Sequence, residues 1–250
     1  MALSISIITC TRNSEPFLAQ SIASVLVQDH PQIETIFVDG GSTDGTLERI
    51  RALPRPCTLL ENLRAGISDA MNAGARVATG DVIAHLHSDD YYLRPDVLSM
   101  VAARLEASGA GWLFGRIARD VAGRLHDEGF AAPRFSPRQL LRGNFIPHPA
   151  TFVRRELLLR HGGFDPRLRY AMDYDLWLRL AHGAGAPVQL DTALAAFREH
   201  AGSASTRNRR AALEEDFRVR LAHAGGDPLA LPMHLARYLV RRRRITGAGA

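Results

Sequence analysis

Between Val82 and Tyr92 the chain reads "VIAHLHSDDYY", an apolar run that ends in two histidines and two carboxylates. Two chemistries fit these residue types. Spaced as His85-x-His87-x-Asp89, three side chains would share one face of a strand of period two, at the spacing of the first three ligands of a zinc metallohydrolase. Asp90 then stands where such a site continues with a histidine. In the second chemistry Asp89 and Asp90, just past the strand end, offer hard oxygens to Mg²⁺ or Mn²⁺ bridging a diphosphate. A buried parallel strand can equally hold His85 as a core histidine.

Three other segments carry candidate chemistry. "FVDGGSTDGT" ends an apolar strand on Asp39 and turns through Gly40 and Gly41, with Ser42 placed to cap the next helix. It matches neither G-x-G-x-x-G nor the G-K-[ST] ending of a phosphate loop. A carboxylate at that edge suits a nucleobase N–H or ribose hydroxyls. "GISDAMNAG" sets Asp69 in a first helical turn, where its charge also favours the helix dipole. "MDYDLWLR" opens a helix on Asp173 and Asp175, which lie about 200° apart around it. Asp173 shares a face with Trp177 and Leu180 and is expected to point to the cleft, with Asp175 pointing elsewhere.

The elements that must position these residues alternate. "LSISIITC", "IETIFVDGG", "CTLLEN" and "DVIAHLHS" are compact strand signals, and "SEPFLAQSIASVLVQ", "LERIRAL" and "ISDAMNAGARVATG" are helices between them, the first with Ser14 as N-cap. Such a series predicts an α/β domain with a mostly parallel central sheet covered by helices, ligands binding beyond the carboxyl ends of the strands. After "RPDVLSMVAARLEAS" the pattern becomes mixed α+β, with a hairpin near Gly123, a helix between Ser136 and Gly143, and a last strand "VQLDTALAAFREH". We expect one domain over residues 1–205, its halves meeting near 115 and 116, then a helical basic extension over 206–250.

At 250 residues and 46% apolar content the chain can build a full core. Cys10 and Cys57 are not in metal-like spacing and suit a reduced, cytoplasmic protein, and no leader or membrane span of roughly 18 apolar residues is read. The net charge is +5, and "RYLVRRRR" from Arg237 to Arg244 holds five arginines. Leu235, Leu239 and Val240 among these arginines predict an amphipathic helix for an anionic membrane surface, on its inner face. Aromatic interleaving is too sparse for nucleic acid.

Taken in order from about Ser4 to Ser205, "IITCTRNSEPFLAQSIASVLVQ", "VDGGSTDGT", "GISDAMNAG", "ATGDVIAHLHSDD", "HPATFVRRELLLRHGGFD" and "MDYDLWLR" resemble the family 2 glycosyltransferases of the A-type nucleotide-sugar-binding fold. The resemblance implies an inverting transfer from a nucleotide-sugar donor to a saccharide or lipid-linked acceptor, in surface polysaccharide or glycolipid assembly, with Mn²⁺ or Mg²⁺ as cofactor. It implies a donor-binding set of Thr9, Arg12, Asp39, Gly41, Asp69, His87 and Ser88, with Asp89 on the metal. His87 replaces the first aspartate of the family's D-x-D motif, and Met172 replaces the glutamate of its Glu-Asp pair, leaving Asp173 as catalytic base. His200 in "REHAGSAS" is a further position for metal or diphosphate, and His148 in "NFIPHPATF" for the acceptor. The zinc hydrolase and a non-catalytic nucleotide-sugar binder are the alternatives.

Overall fold

A computed structural model describes residues 2–126, 132–200, 202, 208–225 and 230–247. Its first half follows from the alternating signals: β1 (Ile5–Thr11), α1 (Glu15–Leu26), β2 (Ile33–Asp39), α2 (Thr46–Arg51), β3 (Thr58–Leu60), α3 (Ile67–Val77) and β4 (Val82–His85). These four strands run parallel in the order β3-β2-β1-β4, so their carboxyl ends share one edge. β1 is buried at every position, as a strand covered on both faces must be. Its alternation divides the core: Ile8 and Cys10 join Ile36, Val38 and Met71 on one side, while Ile5 and Ile7 join Val25, Val82 and Leu98 on the other. At Gly74 of α3 a Cβ would lie 2.5 Å from Ile8 Cγ2, so a side chain there would force the helix off β1.

The second half extends the same sheet: β5 (Tyr91–Tyr92), α4 (Val97–Ser108), β6 (Trp112–Val121), β7 (Arg124–His126), α5 (Pro137–Arg142), a 3-10 turn at His148–Ala150, β8 (Thr151–Arg154), α6 (Arg155–Arg160), α7 (Met172–Gly183) and β9 (Val188–Glu199). β8 enters antiparallel between β4 and β6, and β9 runs parallel to β6, giving the order β3-β2-β1-β4-β8-β6-β9-β5 with β7 beside β6. The sheet is therefore mixed, parallel through its first four strands. Trp177 and Leu180 are buried as expected, Trp177 stacking on Trp112 at 6.1 Å between centroids.

Two helices complete the described chain, α8 (Arg209–His223) and α9 (Ala230–Gly247). α8 is built into the second half of the sheet domain. Glu215, 5% exposed, accepts the backbone N–H groups of Arg169, Tyr170 and Ala171 at 2.9, 2.5 and 2.7 Å, fixing the turn that leads into α7. His223 Nε2 lies 2.8 Å from Asp175 Oδ1. α9 joins α8 by Tyr238 stacking on Phe217 at 4.6 Å, and Arg237 donates to the carbonyl of Arg142.

Three local expectations change. Ser14 does not cap α1 with its side chain; its Oγ lies 2.8 Å from Ser88 Oγ and accepts the Arg12 N–H. Ser42 does not cap α2 but donates to Asp39, because α2 begins three residues later than the turn suggests, behind Gly45. "YY" at β5 adds a short strand, drawn into the sheet by β9 and not by any periodicity of its own.

Candidate active site

The carboxyl edge of the parallel strands carries the first set of candidates. Thr11 and Asp39 are register partners at the ends of β1 and β2, and Thr11 Oγ1 donates to Asp39 Oδ2 at 2.9 Å. Gly41 and Ser42 N–H groups donate to Oδ1, both at 2.8 Å, and Ser42 Oγ donates to Oδ2 at 2.5 Å. Burial raises the Asp39 carboxyl, but these donors outweigh it and hold the group below the usual carboxylate range. Asp39 is fully buried and organises its own loop. Asn13, Ser14 and Thr46 stitch that loop to the one after β1: Thr43 N–H donates to Asn13 Oδ1, and Ser14 N–H to Thr46 Oγ1, each at 2.8 Å.

The remaining donor-side residues separate into two groups. Arg12 is exposed with its stem against Gly40, and Gly41, at φ 84°, lies beneath the Arg64 guanidinium, where a Cβ would meet Nε at 2.7 Å. Arg64 was not among the expected residues, and its position in the irregular segment between β3 and α3 gave no periodic signal. Asp69 is half-buried in the first turn of α3. Thr9 departs from expectation: it is 4% exposed beneath α1, beside Ser21, Ile22 and Val25, because it lies two residues short of the strand end that Thr11 occupies.

The histidine-carboxylate knot resolves into different environments. His85 is buried, and burial pulls its imidazole down to about 3, so it stays neutral. His87 stacks on His148 with ring centroids 4.8 Å apart and planes 13° apart, and His148 lies 5.7 Å from His85. Stacked rings pack face to face and do not converge their nitrogens. Among the described residues no three His, Cys, Asp or Glu side chains form a group that could hold a metal, so the zinc triad His85, His87 and Asp89 finds no support. Asp90 also leaves the ligand set. It is 1% exposed, accepts the Arg198 N–H at 3.1 Å, and is pushed well above the usual carboxylate range by burial and by Asp89.

Asp89 is different. Its Oδ2 lies 3.0 Å from His200 Nε2, both side chains about a quarter exposed, bringing together two positions 111 residues apart. A carboxylate oxygen with an adjacent imidazole nitrogen is a donor set that Mn²⁺ or Mg²⁺ accepts when substrate phosphate oxygens and water complete the shell. Arg198 fixes this corner: its guanidinium packs over Phe17 and Tyr91 at 5.0 and 5.2 Å and pairs with Asp120 at 3.2 Å.

Asp173 lies in a cleft of about 700 Å³ with Asn144, Phe145, His148 and Phe197 among its walls. Asn144 Nδ2 donates to it at 3.3 Å and the Tyr174 N–H at 2.6 Å, yet burial dominates and pushes its carboxyl up to about 6. Asp175 faces away as expected, held by Arg179 at 2.8 Å and by His223; burial raises it, but these partners keep it below the usual range. His148 joins the two regions, lining the cleft while stacking on His87. Both its ring nitrogens are buried without a protein partner, and burial holds it well below the ordinary histidine range.

Comparison with known proteins places this geometry. The structure overlays that of Staphylococcus aureus TarS 1-349 in complex with UDP-GlcNAc at a TM-score of 0.75 and 22% identity, covering 97% of this chain and 73% of that one. It also overlays a mannosyltransferase from Pyrobaculum calidifontis in complex with GDP-Man and Mn²⁺ at a TM-score of 0.66 and 23% identity, covering 94% and 74%. These likenesses show the A-type glycosyltransferase fold. In sequence, an uncharacterized glycosyltransferase of Mycobacterium tuberculosis is 31% identical over 186 residues, 72% of this chain and 70% of that one. A PGL/p-HBAD biosynthesis glycosyltransferase of Mycobacterium bovis is 30% identical over 207 residues, 80% and 79% of the two chains. Residues 6–159 match the model of glycosyl transferase family 2, and with relatives this similar over so much of its length the chain belongs to that family.

Proposed function

We propose that this glycosyltransferase moves a sugar, with inversion, from a nucleoside diphosphate sugar to an acceptor hydroxyl, using Mn²⁺ or Mg²⁺, in the assembly of a surface polysaccharide or glycolipid. The observation that carries the reading is Asp173: among the described residues that line the 700 Å³ cleft it is the one carboxylate, and burial lifts it to about 6, near the ideal for a base working around neutrality. A single base-side carboxylate suits one direct displacement at the anomeric carbon.

The donor is held along the strand edge. Arg12, Gly41, Asp69 and Ser88 contact the nucleoside and diphosphate, Asp39 keeps the turn around Gly41 in place, and His87 supports the sugar side through its stack with His148. Asp89, with His200 beside it, would hold the cation. When bound there, a divalent ion would supply charge neutralisation for the departing diphosphate. Asp173 accepts the proton of the attacking hydroxyl, and Asn144 keeps the carboxylate turned into the cleft. The complexes of the related folds with UDP-GlcNAc and with GDP-Man and Mn²⁺ support a nucleotide-sugar donor and a metal here. The mycobacterial and synthase relatives support a role in polysaccharide or glycolipid assembly, including a chondroitin synthase of Pasteurella multocida 30% identical over 71% of this chain.

The test is incubation with a panel of UDP- and GDP-sugars, with Mn²⁺, Mg²⁺ or EDTA, reading nucleoside diphosphate release and the anomeric configuration of the product. Metal-dependent release with an inverted product is expected. A retained configuration, or full activity in EDTA, overturns the mechanism.

A further inference from the structure

Four arginines line the cleft that holds Asp173: Arg116 of β6, Arg142 of α5, and Arg237 and Arg241 of α9. Arg116 is answered by Asp191 at 3.3 Å. For the other three, Asp173 is the one carboxylate of the cleft wall among the described residues, and burial makes it reluctant to ionise. The positive charge is also crowded. Arg237 donates to the carbonyl of Arg142, and its Nη2 lies 3.9 Å from the point where a side chain at Gly143 would begin. Arg220 Nη2 lies 4.0 Å from that same point, its charge offset by Asp216 at 2.6 Å. Burial and the neighbouring Arg220 and Arg241 push Arg237 below the ordinary arginine range, against the weaker opposing pull of Tyr174 and Asp216. Like charges brought to one wall from separate elements repel one another unless an anion is shared among them.

Resting on the reading of this cleft as the acceptor site, we propose that the acceptor carries a phosphate ester, as a monoester, diester or diphosphate, held by Arg142, Arg237 and Arg241 while its hydroxyl reaches Asp173. Guanidinium forks match phosphate oxygens in pairs, and a phosphate presents enough oxygens for donors arriving from two helices at once. Specificity then follows from charge: a neutral glycan leaves the arginine wall unanswered.

The 250-residue chain is titrated by calorimetry in EDTA with phenyl phosphate, with dodecyl phosphate in neutral micelles, and with their neutral counterparts phenyl glucoside and dodecyl maltoside. Each phosphate should bind at least tenfold more tightly than its neutral counterpart. Arg142→Gln combined with Arg241→Gln should weaken phosphate binding at least tenfold, with Arg142→Lys combined with Arg241→Lys recovering part of it, all at an unchanged circular dichroism spectrum. Tighter binding of the dodecyl ester identifies a lipid-linked phosphate, and equal binding of the two esters a phosphate within a soluble or polymeric acceptor; both support the proposal. Equal affinity for charged and neutral probes, or phosphate affinity untouched by the double substitution, overturns it. Turnover of nucleotide sugars by the unaltered chain is scored separately: turnover without phosphate discrimination defeats this inference alone, whereas absence of turnover with every donor defeats the reading on which it rests.

Discussion

Asp173 and Asp175 sit two residues apart on one helix and answer to opposite electrostatics. Burial without a cation leaves Asp173 at about 6, whereas Arg179 and His223 overcome the burial of Asp175. Asp173→Asn should therefore lower the transfer rate by ~10² or more with donor affinity nearly unchanged, measured by steady-state kinetics. In the unaltered chain kcat should fall as pH drops through about 6, because the protonated carboxyl cannot accept the acceptor's proton. The stability sign runs the other way. A carboxyl raised in the folded state favours folding below its unfolded value and loses that contribution as pH rises through the folded value, so at pH 7 Asp173→Asn should melt no lower than the parent. The adjacent pair Asp89 and Asp90 gives a second contrast. Asp89→Asn should abolish Mn²⁺-dependent donor binding in a thermal-shift assay, while Asp90→Asn, which keeps an acceptor oxygen for the Arg198 N–H at a position where burial already disfavours the charge, should retain most of it. Equal losses in the two variants would show that the metal carboxylate is misassigned.

Helix α7 carries Asp173, but α8 decides where α7 begins. Glu215 gathers three N–H groups in the turn before Met172, that of Ala171 buried and the other two partly so, and hydrogen bonds to a charged group contribute about 1.5–3 kcal/mol each in favourable cases. Because one oxygen serves all three donors, Glu215→Ala should cost on the order of 3 kcal/mol in a denaturant titration and lower kcat by letting Asp173 drift. Donor binding at the far edge should change little, and a fall in donor affinity matching the fall in kcat would argue against this positioning role. Nothing in "RRAALEEDFRVRLAH" marks Glu215 apart from Glu214 or Asp216, since its partners lie 44 to 46 residues earlier. The parallel strands, by contrast, were legible in the sequence because local apolar runs and turn residues define them. The same limit explains Arg64 and the Asp89–His200 contact. His200 was read from the family resemblance, whereas its pairing with Asp89 depends on β9 crossing to the far edge of the sheet. Thr9 stands apart for a simpler reason: it lies two residues before the end of β1, on the same face as Thr11 but already beneath α1.

Over the whole molecule, charge and apolar surface divide between the two sides of α9. Arg237 and Arg241, four residues apart, turn toward the cleft beside buried His234, while Leu235 and Leu239 lie about 160° and 200° around the helix from Arg237. Leu235 and Leu239 are 43% and 44% exposed, an apolar strip on a chain of net charge +5, while Val240, 50% exposed, lies about 60° around the helix from Arg237. Among the described residues no helix is long and apolar enough to cross a membrane. A strip of this kind flanked by arginines suits the headgroup layer of an anionic bilayer, leucines entering the acyl boundary and guanidiniums meeting phosphates. The same helix would then hold the cleft close to lipid-linked acceptors while its inner arginines line the wall beside Asp173. Leu235→Glu combined with Leu239→Glu should lower sedimentation with vesicles of phosphatidylglycerol and phosphatidylcholine several-fold, with little loss from vesicles of phosphatidylcholine alone, which bind weakly at the outset. Both positions face away from the cleft, so transfer to a soluble acceptor should persist. Vesicle binding that survives both substitutions, or that is indifferent to the anionic lipid, would assign α9 to packing alone.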